Sequence, residues 1–148
     1  MTASGPADAV MLRATLREDV PLLFVIQSDP LSNEMAGTRA RTREAFFAVW
    51  EGIFANPLCR SMTVECGGVV VGGVSCFQAG GEDHVGYWVA REHWGRGIAT
   101  KALSSFLLVE PRRPLHATTA WANAGSKRVL ERNGFRLVGR RMGEETER

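Results

Sequence analysis

The spacing of apolar positions changes period along the chain and predicts an alternation of strands and helices. Val10 to Thr15 reads as a strand. Glu18-Asp19-Val20-Pro21 follows, an acidic first turn with a proline that suits a helix start, and Asp29-Pro30 closes that helix. Leu31 to Arg41 shows no period and is expected to be a loop. From Thr42 the apolar residues Phe46, Val49, Trp50, Ile53 and Phe54 recur at helical spacing until Asn56-Pro57, so they predict one buried face of an amphipathic helix. The period then shortens to two. Met62, Val64 and Cys66 alternate with polar residues, and Gly67-Gly68 offers a tight turn into Val69 to Phe77. Ala79-Gly80-Gly81 turns again into Asp83 to Ala90, which completes an antiparallel meander. A helix is predicted after Gly97 on Ala99, Ala102, Leu103, Phe106 and Leu107, ended by the segment Pro111 to Pro114. A strand over Leu115 to Trp121, a helix over Gly125 to Arg132 stopped by Asn133-Gly134, and a strand over Phe135 to Arg140 finish the pattern. Strand, helix and strand in that order imply a right-handed parallel crossover joined to the meander. The expected fold class is therefore α/β with a mixed sheet, in one domain over 1–148, with Met1 to Asp8 frayed.

Composition narrows this picture without redirecting it. The net charge of +2 is too small to call for a nucleic-acid partner, and the Lys and Arg residues are scattered rather than gathered into a tail. Cys59, Cys66 and Cys76 are odd in number and lack CxxC spacing; Cys66 and Cys76 lie in apolar strand-like runs, where a cysteine is ordinarily a small buried hydrophobe. A reducing, cytoplasmic setting and no metal site are expected. No stretch is long and apolar enough for a membrane span, and the first residues lack a signal-peptide pattern.

The chemistry is concentrated in Trp94-Gly95-Arg96-Gly97-Ile98-Ala99-Thr100, where a strand has ended and a helix begins. Glycines let the backbone turn sharply, and the free N–H groups of a helix start favour a phosphate, to which Arg96 can add a charge-assisted bond. The glycines alone fit a ligand-free turn at least as well, since short Gly-x-Gly matches arise by chance. A P-loop is excluded because GxxxxGK[ST] is absent; the dinucleotide fingerprint is excluded because Thr100 stands where its third glycine belongs.

Two blocks together carry a family resemblance. Val85-Gly86-Tyr87-Trp88-Val89-Ala90 followed by Arg91 to Ala102 resembles the pyrophosphate-binding region of the GCN5-related N-acetyltransferases, the GNAT superfamily. It is most similar to the branch containing the ribosomal-protein N-terminal acetyltransferases. Gly97 and Ala99 fill the last places of that family's Gln/Arg-x-x-Gly-x-Gly/Ala pattern, with Trp94 in the leading place. Asn123-Ala124-Gly125-Ser126, then Val129 to Phe135, is similar to the second family block, in the right order and spacing.

The resemblance implies a GNAT-like fold that uses acetyl-coenzyme A as co-substrate to acetylate a primary amine of a protein N-terminus or small molecule. It implies that the backbone of Trp88, Val89 and Ala90 pairs with the pantetheine arm. The N–H groups of the loop Trp94, Gly95, Arg96, Gly97, Ile98, Ala99 and Thr100 would hold the pyrophosphate. Asn123 and Ser126 would lie beside the thioester, although an ordinary helix cap and a helix-surface hydroxyl account for them as well. His84 stands where relatives often carry a glutamate base, and a histidine can take an amine proton near neutrality. The thiolate-protonating tyrosine of many relatives aligns with Leu130, leaving Ser126 or a water for that step. Tyr87 reads as core or wall. Asn33, Glu34 and Arg39 are expected to border the acceptor. Met142 to Arg148 is short, charged and unlike the further strand of relatives, which makes completion by a homodimer partner an option. An alternative reading is a degenerate member that binds acetyl-coenzyme A without turnover.

Overall fold

The computed structural model describes residues 10–139. Four antiparallel strands form a sheet in the order β1 (Val10–Ala14), β2 (Arg60–Cys66), β3 (Val69–Ala79) and β4 (Glu82–Val89). The predicted meander is present, with Met62 opposite Val74 and Val74 opposite Tyr87. Between β1 and β2 lie α1 (Val20–Gln27), α2 (Pro30–Ala36) and α3 (Arg43–Ala55); α4 (Ile98–Val109) and α5 (Ala124–Arg132) follow the sheet.

Two apolar clusters hold these layers together. One joins Val64, Val71, Val74, Cys76, Val85 and Val89 of the sheet to Ile98, Ala102, Leu103 and Phe106 of α4 and Leu130 of α5. The other joins Val20 and Leu23 of α1 to Phe46 and Trp50 of α3, so the aromatic stripe is packing, as its period indicated. Cys76 is fully buried, and burial pushes its thiol up, away from nucleophile chemistry.

The expected loop over Leu31 to Arg41 instead contains α2. Asp29 accepts from the Ser32 N–H at 2.9 Å, Pro30 supplies the first turn, and Gly37 ends the helix in the left-handed region. Its inward residues are polar: Asn33 donates to the carbonyls of Gln27 and Asp29 and accepts from Thr38. A helix that buries Ser32 and Asn33 while exposing Leu31 and Met35 carries no hydrophobic period to read.

The parallel crossover is present as one bridge. His116 pairs with His84; the Val85 N–H donates to the His116 carbonyl at 2.8 Å, and the His116 N–H donates to the Asp83 carbonyl at 2.9 Å. Residues 117–120 take no strand, so the strand expected over Leu115 to Trp121 is reduced to the bridge at His116. Residues 135–139 take no strand either, and Leu137 and Val138 are solvent-exposed. The N-terminal residues expected to fray and the tail from Met142 lie outside the described residues.

Candidate active site

Between β4 and the 117–120 segment lies a cleft of about 580 Å³. Its walls are residues 85–89 of β4, Gly95 and Gly97–Thr100 at the start of α4, the 117–120 segment, one face of α5 from Ala124 to Arg132, and Ser32, Met35 and Ala36 of α2. The bond directions along β4 define what that edge offers. Asp83 and Val85 point their backbone groups toward His116, whereas the Ala90 N–H bonds to Val71 in β3. By the alternation of a strand, Tyr87 and Val89 therefore turn their N–H groups toward the cleft, while Trp88 is committed to β3. Of the expected pantetheine partners Trp88, Val89 and Ala90, only Val89 directs its N–H to the cleft side; those of Trp88 and Ala90 face β3.

The Trp94 indole N–H donates to the Val89 carbonyl at 2.9 Å and so pins the glycine loop to the end of β4. Gly95 and Gly97 have φ of 79° and 75°, and Gly97 is the N-cap of α4. With no side chain at that cap and no acidic residue in the first turn, the N–H groups of Ile98, Ala99 and Thr100 are left for an anion. The Lys101 N–H, by contrast, is taken by the Gly97 carbonyl. Arg96 is exposed and does not line the cleft; Arg128 and Arg132 of α5 do. Sequence reading missed both, although their spacing places them on one helix face with Gly125 and Val129. Asn133 donates to the Thr100 carbonyl at 3.3 Å and holds that end of α5 beside the α4 start.

Asn123 caps α5 by accepting from the Ser126 N–H at 3.0 Å, so its bland reading is realised in full while the residue still lines the cleft. Ser126 Oγ lies 2.6 Å from Tyr87 Oη. Tyr87 is thus a cleft residue joined to α5, and Leu130 is buried in the core. His84 is elsewhere. It stacks on Phe77 with ring centroids 5.8 Å apart, stands 5.6 Å from the His116 ring, and lies 3.8 Å from a Glu82 oxygen. That cluster flanks the parallel bridge and is not part of the cleft lining.

Two buried polar atoms, Trp88 Nε1 and His93 Nδ1, lack a hydrogen-bond partner among the described residues, and both residues line the cleft. Trp88 also borders a small recess with Gln27, Ser28, Asn33, Thr38, Arg39 and Arg41. Of the three expected acceptor contacts, Asn33 is consumed in holding α2, Glu34 is exposed, and Arg39 reaches this recess. Arg91 clamps Asp29 at 2.9 Å and holds its carboxyl below the usual range, which ties the N-cap of α2 to the end of β4.

No curated protein matches the chain in sequence. Solved structures do match in fold. A spermidine N-acetyltransferase from Vibrio cholerae, in complex with CoA and spermine, superposes with a TM-score of 0.77 at 16% identity, covering 89% of this chain and 83% of that one. An acetyltransferase from Thermus thermophilus gives 0.74 at 22% identity, covering 88% of each chain. A Salmonella typhimurium enzyme that modifies the N-terminal serine of ribosomal protein L7/L12 gives 0.72 at 20% identity, covering 91% of this chain and 86% of that one. The family model described as an acetyltransferase (GNAT) domain matches residues 9–136, which takes in the sheet, the glycine loop, the cleft and α5. The chain is therefore a member of the GNAT acetyltransferase family.

Proposed function

We propose that the cleft binds acetyl-coenzyme A and that the chain transfers its acetyl group to a primary amine of a protein N-terminus or small molecule. The carrying observation is one continuous cleft that runs along β4 as far as Val89 and on to the N–H groups of Ile98, Ala99 and Thr100, which no capping side chain takes. A pantetheine arm has amides that match the edge, and a pyrophosphate matches the helix start. Arg128 and Arg132 add the positive charge that a polyphosphate needs. The Vibrio cholerae relative was crystallised with coenzyme A, which supports the same ligand here.

The amine lone pair attacks the thioester carbonyl carbon. The C–S bond breaks, sulfur takes up a proton, and the new amide nitrogen loses one to water. Ser126, on the wall formed by the first turn of α5, supplies a hydroxyl near the thioester end. His84 has no part in this reading because it does not reach the cleft. The acceptor enters on the side of α2 and the Trp88 recess. The reaction belongs in the cytoplasm, in keeping with three cysteines held in no disulfide; among the described residues no helix is long and apolar enough to cross a membrane.

Thermal unfolding with acetyl-coenzyme A, coenzyme A and NAD tests the cofactor. A ligand at 100 times its Kd stabilises the native state by about 2.7 kcal/mol, so both coenzyme A forms are expected to raise the Tm and NAD to leave it unchanged. No shift with either coenzyme A form would sink the assignment. The absence of a tyrosine at the buried Leu130 favours a second reading, binding without turnover. Thiol release in the presence of amines separates the two.

A further inference from the structure

The departing sulfur needs a proton, and the side chain at position 130 cannot give one. A serine hydroxyl by itself is a poor acid for this task. A phenol, titrating near about 10, lies far closer to a thiol near about 8.5 than an aliphatic hydroxyl does, so it gives a proton to the departing sulfur at much smaller cost. The chain has a single tyrosine, Tyr87. It comes from β4 rather than from α5, and its hydroxyl meets Ser126 Oγ at 2.6 Å and the Ser126 carbonyl at 3.2 Å. Both residues line the cleft, from elements 39 residues apart. The Tyr87 side chain and the capped first turn of α5 meet at this point, so the hydroxyl pair joins two walls of the cleft.

On the reading that this cleft carries out acetyl transfer, we infer that Tyr87 and Ser126 form its proton donor, with Tyr87 the residue that gives up the proton. The N–C bond forms, the C–S bond breaks, and sulfur receives a proton from the pair. The charge comes to rest on the Tyr87 oxygen, facing the Ser126 O–H. Water then returns a proton to Tyr87, and the proton lost by the amine goes to water, so the pair ends as it began.

The test is thiol release from acetyl-coenzyme A by wild type, Tyr87→Phe, Ser126→Ala and the double variant, with a serine-initiated hexapeptide and with spermine as acceptors, from pH 6 to 10.5. Tyr87→Phe keeps the ring and removes only the hydroxyl. It is expected to lower kcat about 10- to 100-fold with the KM for acetyl-coenzyme A changed less than about threefold. In wild type kcat falls at high pH as the donor loses its proton, and Tyr87→Phe lacks that falling limb. The double variant is expected to be no slower than the worse single one, because the two hydroxyls act as a unit.

A kcat within twofold of wild type and an unchanged alkaline limb in Tyr87→Phe would overturn the proposal and leave the acetyltransferase reading intact. Lower stability or weaker binding with kcat and its pH profile unchanged would make the contact a structural tie only, and would overturn it too. The coenzyme A thermal shift of each variant reports folding. If Tyr87→Phe does not fold, Ser126→Ala must lower kcat and move the alkaline limb, because the Tyr87 oxygen loses the Ser126 hydroxyl that faces it; an unmoved limb with unchanged kcat would overturn the proposal. Wild type that binds coenzyme A but releases no thiol with either acceptor removes the activity, and the proton donor with it.

Discussion

Gly72 faces the carbonyl of Trp88 so closely that a Cβ built there would lie 2.0 Å from the oxygen and 3.0 Å from the carbonyl carbon. Both neighbours are backbone in a paired strand, so neither can move without breaking the β3–β4 ladder that presents the cleft edge. Gly72→Ala is therefore expected to cost about 2–3 kcal/mol, in the range of an overpacked core. Urea unfolding of the variant measures it; a cost under about 0.5 kcal/mol would mean that the ladder adapts freely. Nothing in the sequence distinguishes Gly72 from Gly73, since the contact depends on which residue the β4 backbone approaches. The same limit applied at the site. Gly97 and Ser126 were picked out by the glycine loop and by the second sequence block, and both line the cleft. Tyr87 was read as core or wall and is wall; its contact with Ser126 was not legible, because strand alternation gives only the face a side chain occupies and its partner lies on another element. His84 was misplaced for the converse reason: it occupies the expected strand, but Phe77 and His116 hold its ring away from the cleft.

At the scale of elements, the end of the cleft proposed to take the pyrophosphate is lined by two helices, both read from the sequence, but only α4 was read as part of that site. The loop and α4 are contiguous and could be read together, with Arg96 as the expected cation. The cleft takes its cations from α5 instead, because Asn133 holds that helix against Thr100. Charge reversal tests the difference. Arg128→Glu and Arg132→Glu are each expected to weaken coenzyme A binding about tenfold, as the loss of a charge-assisted contact at a part-exposed site. Arg96→Glu should change it less than threefold. Calorimetric titration at low and high salt checks both, since screening must shrink the effect of the first two. If Arg96→Glu weakens binding most, the loop supplies the cation as first expected. The departures from the sequence reading are of two kinds. The α2 helix is held by polar tethers that leave no apolar period, whereas the strand patterns read after Pro114 and after Gly134 form only the bridge at His116 and no strand over 135–139.

At the scale of the whole molecule, two charged clamps tie distant parts of the chain to the sheet, outside the cleft lining. Arg13 joins Asp19 at 2.7 Å to Glu65 at 2.8 Å, and Thr63 Oγ1 donates to the same Asp19 carboxylate. In the other, Glu110, 2% exposed, takes bonds from Arg112 and from Arg60 of β2, while Arg112 reaches on to the Leu58 carbonyl and Asp83. This second clamp holds the chain leaving α4 against the strand whose far end frames the cleft. Arg112, then its backbone N–H and Arg60, holds the Glu110 carboxyl at about 2 against an ordinary 4.5, and Arg13 lowers Asp19 in the same sense. A carboxyl depressed in the folded state contributes stability that is complete above its ordinary value and is lost as pH falls through its folded one. The window for Glu110 is therefore pH 4.5 down to about 2. Glu110→Gln keeps the shape and removes the charge. With the arginines partly exposed, it is expected to cost about 1–3 kcal/mol at pH 7. That gap from wild type should narrow as the pH is lowered through the window, because wild type is then losing the same charge by protonation. Urea midpoints of both proteins at pH 7, 4 and 2.5 measure it. A gap that stays constant to pH 2.5 would mean that Glu110 acts by shape alone, and that the crossover framing the cleft is held by packing rather than by charge.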